Sequence, residues 1–299
     1  MKPEIATTIS TLVAAPWNDY VLLDSGMGRK LERYGKVVVN RPEPQALWAP
    51  TLPESEWQKA DAMFDNTSGD SDGDVGRWKI NSRISDQWDV SWNDITFVCR
   101  LMSFRHMGLF PEQMTHWKWI SDQIKSAGRP LKILNLFAYT GAASLSAAKA
   151  GAQVTHLDAS KKAIQWAKDN QAASGLGDKP IKWICDDAKA FVARELRRGN
   201  TYDGIILDPP KFGRGPDGER WQLEDDLLDF TTDCAKLLSP DAQFMILTAY
   251  AMRISSMSIA NVLQDATSGG AIDHGELLTK QENGERYLST SLYARWTNG

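Results

Sequence analysis

Cysteine is scarce in this 299-residue chain: Cys99, Cys185 and Cys234 are the only three, far apart and without a C-x-x-C spacing. An odd, scattered set of thiols excludes a disulfide framework and a thiolate zinc site. Long apolar runs are missing as well. No stretch approaches the ~18–20 apolar residues that span a bilayer. The opening Met1-Lys2-Pro3-Glu4 lacks the charged-then-apolar pattern of a secretory signal, so a cytoplasmic protein is expected. There is no excess of positive charge either: 34 Lys and Arg stand against 38 Asp and Glu, a formal charge of −4. Proteins that coat nucleic acid non-specifically draw their affinity from phosphate neutralisation, so bulk coating is excluded. Arg100, Arg105, Lys118, Lys211, Arg214 and Arg220 could still form a local basic rim, or be scattered solvated charges.

What is present is a globular composition, 42% hydrophobic and 24% charged, in two textures. Residues 1–100 hold eleven Lys and Arg against fifteen Asp and Glu, and are rich in Trp, Pro and Asp. Their strand-like pieces at 20–23, 36–40, 78–80 and 95–101 suggest a small β-rich N-terminal domain over 1–100. The stretch 65–76, D-N-T-S-G-D-S-D-G-D-V-G, resembles a calcium loop only superficially, because no glutamate closes it at the required spacing. A mobile surface loop is expected there, and no metal. From residue 130 the pattern alternates strictly. Strands are expected at 131–137, 152–158, 180–185, 203–208 and 242–248, with helices at 141–150, 160–173, 187–198, 220–238 and 255–267. Such alternation implies right-handed βαβ crossovers and a parallel sheet. The end differs: 271–279 and 285–296 are strand-like and joined through an Asn283-Gly284 turn signal, which makes an antiparallel hairpin.

Two motifs carry chemistry. In residues 133–144, I-L-N-L-F-A-Y-T-G-A-A-S, a buried strand turns at Tyr139-Thr140-Gly141 into the alanine-rich helix at 142–150. A strand, tight turn and helix start present backbone N–H groups and a positive dipole end to a ligand. A dinucleotide fingerprint would need three glycines at G-x-G-x-x-G to admit a pyrophosphate. Only Gly141 is here, beside Ala138, Tyr139 and Thr140. A cofactor without phosphate, carrying an ammonium, a carboxylate and a sulfonium, suits the loop better. The second motif, Leu207-Asp208-Pro209-Pro210-Lys211-Phe212, follows a buried strand. Its prolines fix φ, remove two donors and leave carbonyls for an acceptor's amino group or base edge. Together the motifs point to S-adenosylmethionine at the first loop and a methyl acceptor at the second. Phe212 could stack on a flipped base and Lys211 could contact a phosphate or a base oxygen.

In doubly wound sheets, ligands sit outside the carboxyl ends of the strands. The first strand end offers Asn135, Phe137, Tyr139, Thr140 and Gly141 to the methionine part of the cofactor. The second ends at Asp158, whose carboxylate can accept from both ribose hydroxyls or act as a helix cap before Ser160. At the third, Asp187 or Asp186 would accept the adenine amino group; Asp187 is preferred, with Asp186 facing solvent or capping the next helix. Cys185 and Cys234 read as packing residues. Upstream, Glu112 is expected in the first turn of a helix at 112–127. Phe110 and Gln113 would cover the cofactor, or Phe110, Trp117 and Ile120 would form that helix's buried stripe.

The set Gly108-x-Phe110-x-Glu112-Gln113, Asn135-x-Phe137-x-Tyr139-Thr140-Gly141-x-x-Ser144, Asp158, Asp187-Ala188 and Asp208-Pro209-Pro210-Lys211-Phe212 resembles the large-subunit rRNA cytosine-5 methyltransferase family, of the large-subunit methyltransferase I type. That branch also contains a guanine-N7 methyltransferase, and the resemblance covers residues 95–299. It implies a Rossmann-like α/β class I methyltransferase domain over 101–299, with a seven-stranded, mostly parallel sheet and a terminal antiparallel hairpin. It places cofactor roles on Phe110, Gln113, Asn135, Phe137, Tyr139, Asp158, Asp187 and Asp208. Residues 1–100 resemble the small β-rich domain that precedes catalysis in that family, and no PUA-type RNA-binding domain is expected.

One departure matters. Cytosine-5 methylation needs a thiolate to add to carbon 6, and in the family that cysteine follows the fifth strand. The matching stretch here, Leu247-Thr248-Ala249-Tyr250-Ala251-Met252-Arg253, holds none. Direct transfer to a nucleophilic nitrogen needs only alignment, with Asp208 or the Pro209 carbonyl orienting the acceptor and Tyr250 and Arg253 lining the pocket. The expectation is an S-adenosylmethionine-dependent methyltransferase acting in-line on RNA, ribosomal by resemblance, with no metal and no covalent adduct. A protein or small-molecule methyltransferase, and a cofactor-binding protein without turnover, remain as alternatives.

Overall fold

The computed structural model describes residues 1–14, 16–66, 75–250 and 254–298. Most of the glycine–aspartate stretch 65–76 therefore lies outside the described residues, as does Arg253. Contacts divide the chain into two compact units. One comprises Met1–Leu12, Thr115–Leu277 and Ser291–Gly299; the other comprises Val13–Met114 and Leu278–Thr290. The division falls later than the expected boundary at residue 100 for a local reason. The Trp78 indole donates to the Phe104 carbonyl at 3.1 Å, and Arg105 donates to the Pro42 carbonyl at 3.2 Å. The hairpin tip joins the same unit through Gln281, which donates to Asp24 at 2.8 Å and accepts from Ser25 at 2.7 Å.

Two short strands come first, β1 (Glu4–Ile5) and β2 (Ser10–Ala14). The Val13–Met114 unit then builds β3 (Tyr20–Gly26), β4 (Arg29–Tyr34), β5 (Val37–Pro42), the single turn α1 (Glu54–Trp57), β6 (Ala62–Asp65) and β7 (Arg77–Ile80). Those strands form one sheet in chain order, and β8 (Gln87–Trp92) pairs antiparallel with β9 (Ile95–Arg100). Its interior is charged. Arg41 Nε donates to buried Glu32 at 2.5 Å, Tyr20 and Tyr34 donate to the same carboxylate, and Lys30 sits 3.1 Å from Glu43. Burial alone would raise the Glu32 carboxyl, but Arg41 and Lys30 outweigh it and hold it at about 2.

The other unit continues with α2 (Met114–Ser126), β10 (Lys132–Leu136), α3 (Ala142–Lys149), β11 (Gln153–Asp158), α4 (Lys161–Ala173), β12 (Ile181–Cys185), α5 (Ala188–Arg198) and β13 (Gly204–Leu207). After it come β14 (Phe212–Arg214), β15 (Arg220–Gln222), α6 (Leu223–Ala235), β16 (Phe244–Tyr250), α7 (Ser256–Ala266), β17 (Ala271–Lys280) and β18 (Tyr287–Thr297). The main sheet has the order β1-β17-β18-β16-β13-β10-β11-β12, with β2 also on β17. β16, β13, β10, β11 and β12 are mutually parallel, and β18 runs antiparallel to β16. The short connection between neighbours β17 and β18 makes them a hairpin, since a parallel pair would need a crossover of a dozen residues. The expected seven strands are present, but the sheet has nine, because β1 runs parallel to β17 with Glu4 opposite Ala271.

The strands are apolar throughout because both faces are covered. Leu134, Leu136, Ile205, Leu207, Met245 and Leu247 point to one face, packing with Phe191, Phe230 and Leu263. Ile133, Ile206, Phe244 and Ile246 point to the other, packing with Ile120, Ala147 and Ala148. Three helices start at caps the residue types predict: Ser160 accepts from Ala163 N–H at α4, Asp187 from Ala190 N–H at α5, and Ser255 from Met257 N–H at α7. The helix expected from 220 begins at Leu223, because 220–222 pair as a strand. Among the described residues, no helix is long and apolar enough to cross a membrane.

Candidate active site

β10 has β11 on one side and β13 on the other. The chain leaving β10 moves off to β11, so the ends of β10 and β13 flank the point where strand order reverses, the usual crevice for a ligand. Both motifs lie at these two ends.

After β10 the backbone enters the left-handed region at Phe137 (φ 55°), Tyr139 (φ 48°) and Gly141 (φ 87°). For the two non-glycine residues this costs about 1–3 kcal/mol each, and holds only where surroundings enforce it. Here Ala138 N–H donates to the Leu157 carbonyl at 3.0 Å, Tyr139 N–H to Asp158 at 2.9 Å, and Asn170 Nδ2 to the Thr140 carbonyl at 2.9 Å. A Cβ at Gly141 would lie 3.1 Å from the Ala167 Cβ. Gly141 starts α3 with no side-chain cap, so the first-turn N–H groups of the helix receive no acceptor from the cap residue. Below the loop, Asn135 is 2% exposed and donates to Ser144 Oγ at 2.9 Å, which in turn meets His156 Nδ1 at 2.9 Å. Asn135 thus supports the loop from beneath. Burial pushes the His156 imidazole down to about 3, so it is neutral.

Asp158 closes β11. One oxygen accepts from Tyr139 N–H at 2.9 Å and the other from Ser160 N–H at 2.8 Å, while burial raises its carboxyl. Ser160 caps α4 with its own hydroxyl, so Asp158 is not that cap. At the next strand end the capping role goes to Asp187, which accepts from Ala190 N–H at 2.9 Å; Asp186 instead pairs with Arg194. Of the two places expected for Asp186, facing solvent or capping the next helix, the cap falls to Asp187. Cys185 is also not a packing residue: β12 is the sheet edge, and the thiol is exposed, 3.5 Å from the Ala159 carbonyl. Cys234 is buried, as expected, and burial raises its thiol.

β13 delivers a half-buried Asp208, a buried Pro209, an exposed Pro210 and a half-buried Lys211. Phe212 is 58% exposed, with Lys211 Nζ 5.3 Å from its ring centroid. Trp221 is 4% exposed and its Nε1 donates to the Pro210 carbonyl at 2.7 Å. Its ring lies 4.9 Å from that of Phe137 and 5.2 Å from that of Phe230. One tryptophan therefore links the loop after β10 to the loop after β13. Tyr250 ends β16.

Phe110 and Gln113 belong to the Val13–Met114 unit. Phe110 packs on His106 with centroids 4.9 Å apart, and Gln113 N–H donates to the Phe110 carbonyl at 3.0 Å. Glu112 lies in a 3-10 turn, Pro111–Gln113, ahead of α2 and not in its first turn. It is buried, which raises its carboxyl. Among the described residues, no group of three or more His, Cys, Asp or Glu could hold a metal ion.

Residues 70–248 match the family described as S-adenosylmethionine-dependent methyltransferase. A solved structure of a SAM-dependent methyltransferase from Agrobacterium tumefaciens is 46% identical, covers 100% of this chain and 96% of its own, and superposes with a TM-score of 0.94. The chain belongs to the S-adenosylmethionine-dependent methyltransferase family. Ribosomal RNA large subunit methyltransferase K/L of Shewanella frigidimarina is 32% identical over 183 residues, 60% of this chain. The chain spans only 24% of that relative's length. A solved structure from Streptococcus mutans, 16% identical with a TM-score of 0.69 and covering 93% of this chain and 75% of its own, shows the fold alone.

The methyltransferase site fits its cofactor in three respects. The uncapped start of α3 would offer its first-turn N–H groups to the methionine carboxylate. Each Asp158 oxygen retains a lone pair after its backbone bond, enough for ribose hydroxyls. Asp187 holds α5 through Oδ1, and its other oxygen would be available to accept from an adenine amine. Sequence reasoning missed Trp221, His156 and Asn170. The Trp221 signal was a lone tryptophan after the Arg214–Arg220 segment, hidden by the helical pattern that follows it.

Proposed function

We propose that this chain transfers a methyl group from S-adenosylmethionine to a nucleobase of RNA, ribosomal RNA first, at a nitrogen and without an enzyme adduct. The observation that carries the reading is the Asp208-Pro209-Pro210 turn held beside the Phe137–Gly141 loop through Trp221. When bound, the cofactor supplies an electrophilic methyl whose bonding pair returns to sulfur as the acceptor lone pair forms the new bond. The Pro210 carbonyl is engaged by Trp221 and the Lys211 carbonyl by Leu223 N–H at 3.0 Å. The Asp208 carboxylate and the Pro209 carbonyl are the groups that would accept from the acceptor's amino group and aim its lone pair, with Asp208 taking up the proton the nitrogen sheds on methylation. Phe212 stacks the base, and Lys211 meets its phosphate. RNA as the acceptor is supported by the similarity to ribosomal RNA large subunit methyltransferase K/L.

A thiolate route to carbon 5 lacks a reagent. Cys99 and Cys234 are buried, and Cys185 stands three strands from β13, about 14 Å at ordinary strand spacing. Labelled methyl transfer from S-adenosylmethionine into fractionated extract of a strain lacking this gene tests the reading. Label in RNA is expected. Label only in protein or small molecules overturns the acceptor.

A further inference from the structure

The chain leaves the acceptor turn as a hairpin whose two faces differ. In β14 and β15, Phe212 stands opposite Gln222, Gly213 opposite Trp221, and Arg214 opposite Arg220. Opposed residues project to the same side, and successive residues to opposite sides. Trp221 and Gly213 face inward: a Cβ on Gly213 would lie 3.4 Å from Pro210 Cγ. Phe212, Arg214, Arg220 and Gln222 share the outer side, where the aromatic and both arginines are exposed. Arg220 reaches Gln222 along that side. At the hairpin turn, Glu219 is occupied with Asp217 N–H at 3.0 Å.

Like charges directly opposite across a strand pair are unfavourable. Two guanidiniums about 5 Å apart at their Cβ atoms suit a single anion held between them. An exposed aromatic beside such a pair suits a base that is not already stacked. We propose that this outer face is the contact surface for single-stranded RNA, with Phe212 stacking a base and the Arg214–Arg220 pair holding the adjoining phosphate. The proposal rests on the reading of RNA as the acceptor. It adds the strandedness of the substrate and two residues outside the Asp208–Phe212 motif. A duplex would have to unpair and flip out a base before Phe212 could stack on it, so the open strand is held more tightly.

The test is anisotropy of a short labelled single-stranded RNA against the full chain across a salt series. Phe212→Ala should weaken binding about tenfold, and Phe212→Trp should restore it. The double variant Arg214→Gln/Arg220→Gln, which frees one phosphate, should lower the slope of log Kd against log salt by about 0.7. Lys125→Gln, an exposed cation in the last turn of α2, should change neither. Unchanged affinity and slope in the hairpin variants would overturn the proposal. So would a wild type that binds no RNA, that prefers duplex, or that holds an acidic peptide as tightly. Binding is read without methyl transfer. A wild type that binds RNA through this face yet methylates none therefore refutes the acceptor reading and leaves this one standing.

Discussion

Asp187 has two roles that substitutions can separate. It caps α5 through Ala190 N–H at 2.9 Å, and it is the carboxylate proposed to receive the adenine amine. Asparagine caps as well as aspartate does. Asp187→Asn should therefore leave stability unchanged while weakening S-adenosylhomocysteine several-fold. Asp187→Ala should also lose about 1 kcal/mol of stability. Calorimetric titration and urea unfolding read the two effects separately. Gly141→Ala places a Cβ at φ 87° and 3.1 Å from Ala167, so about 1–2 kcal/mol should be lost along with cofactor affinity. Gly175→Ala, at φ 65° with open space around it, should cost stability but spare the cofactor. Single residues were legible where the turn is local: Gly141, Asp158 and the Asp208–Phe212 run stand at or just after the strand ends where the sequence pattern put them. The Asn135–Ser144–His156 chain was not, because polar residues inside apolar strands give no sign of their partner across the sheet.

At the scale of elements, the central joint is Trp221 between the Pro210 carbonyl and the Phe137 ring. Trp221→Phe keeps the ring and removes the N–H. A hydrogen bond of this kind contributes roughly 1 kcal/mol, so kcat should fall about five- to tenfold while cofactor affinity stays close to wild type. Trp221→Ala opens the aromatic cluster and should also cost about 3–5 kcal/mol of stability. An equal loss of cofactor affinity and kcat in Trp221→Phe would contradict the joint. The helices and parallel strands were legible because period 3.6 and continuous apolar runs differ over ten residues. The β14–β15 hairpin was hidden, since three-residue strands carry no period and 220–222 run on into α6.

For the whole molecule, alternation of strand and helix sufficed for a doubly wound sheet. It could not reveal that β1 and β2 extend that sheet to nine strands, because Glu4 pairs with Ala271 and no local pattern encodes such a contact. Folding also sets the response to pH. Burial holds His116 and His156 down at about 3 against an ordinary 6.5. The unfolded chain therefore takes up protons first as pH falls. The stability is full above 6.5 and is lost progressively toward 3, by about 1.4 kcal/mol per pH unit for each histidine. Urea unfolding at pH 7 and pH 5 should differ by about 2 kcal/mol per histidine, less in His156→Gln. A flat profile, or one that rises on acidification, contradicts this.

The central claim is that the two loops at the β10 and β13 ends form one site for in-line transfer to a base nitrogen. Its most direct test is nucleoside analysis of ribosomal RNA from the gene-deficient strain, methylated in parallel by the wild type and by Asp208→Ala. The account predicts one labelled nucleoside carrying its methyl on nitrogen, no protein–RNA adduct, and a loss of at least about a hundredfold with Asp208→Ala. A methyl found on a ring carbon, or full activity without Asp208, would contradict it.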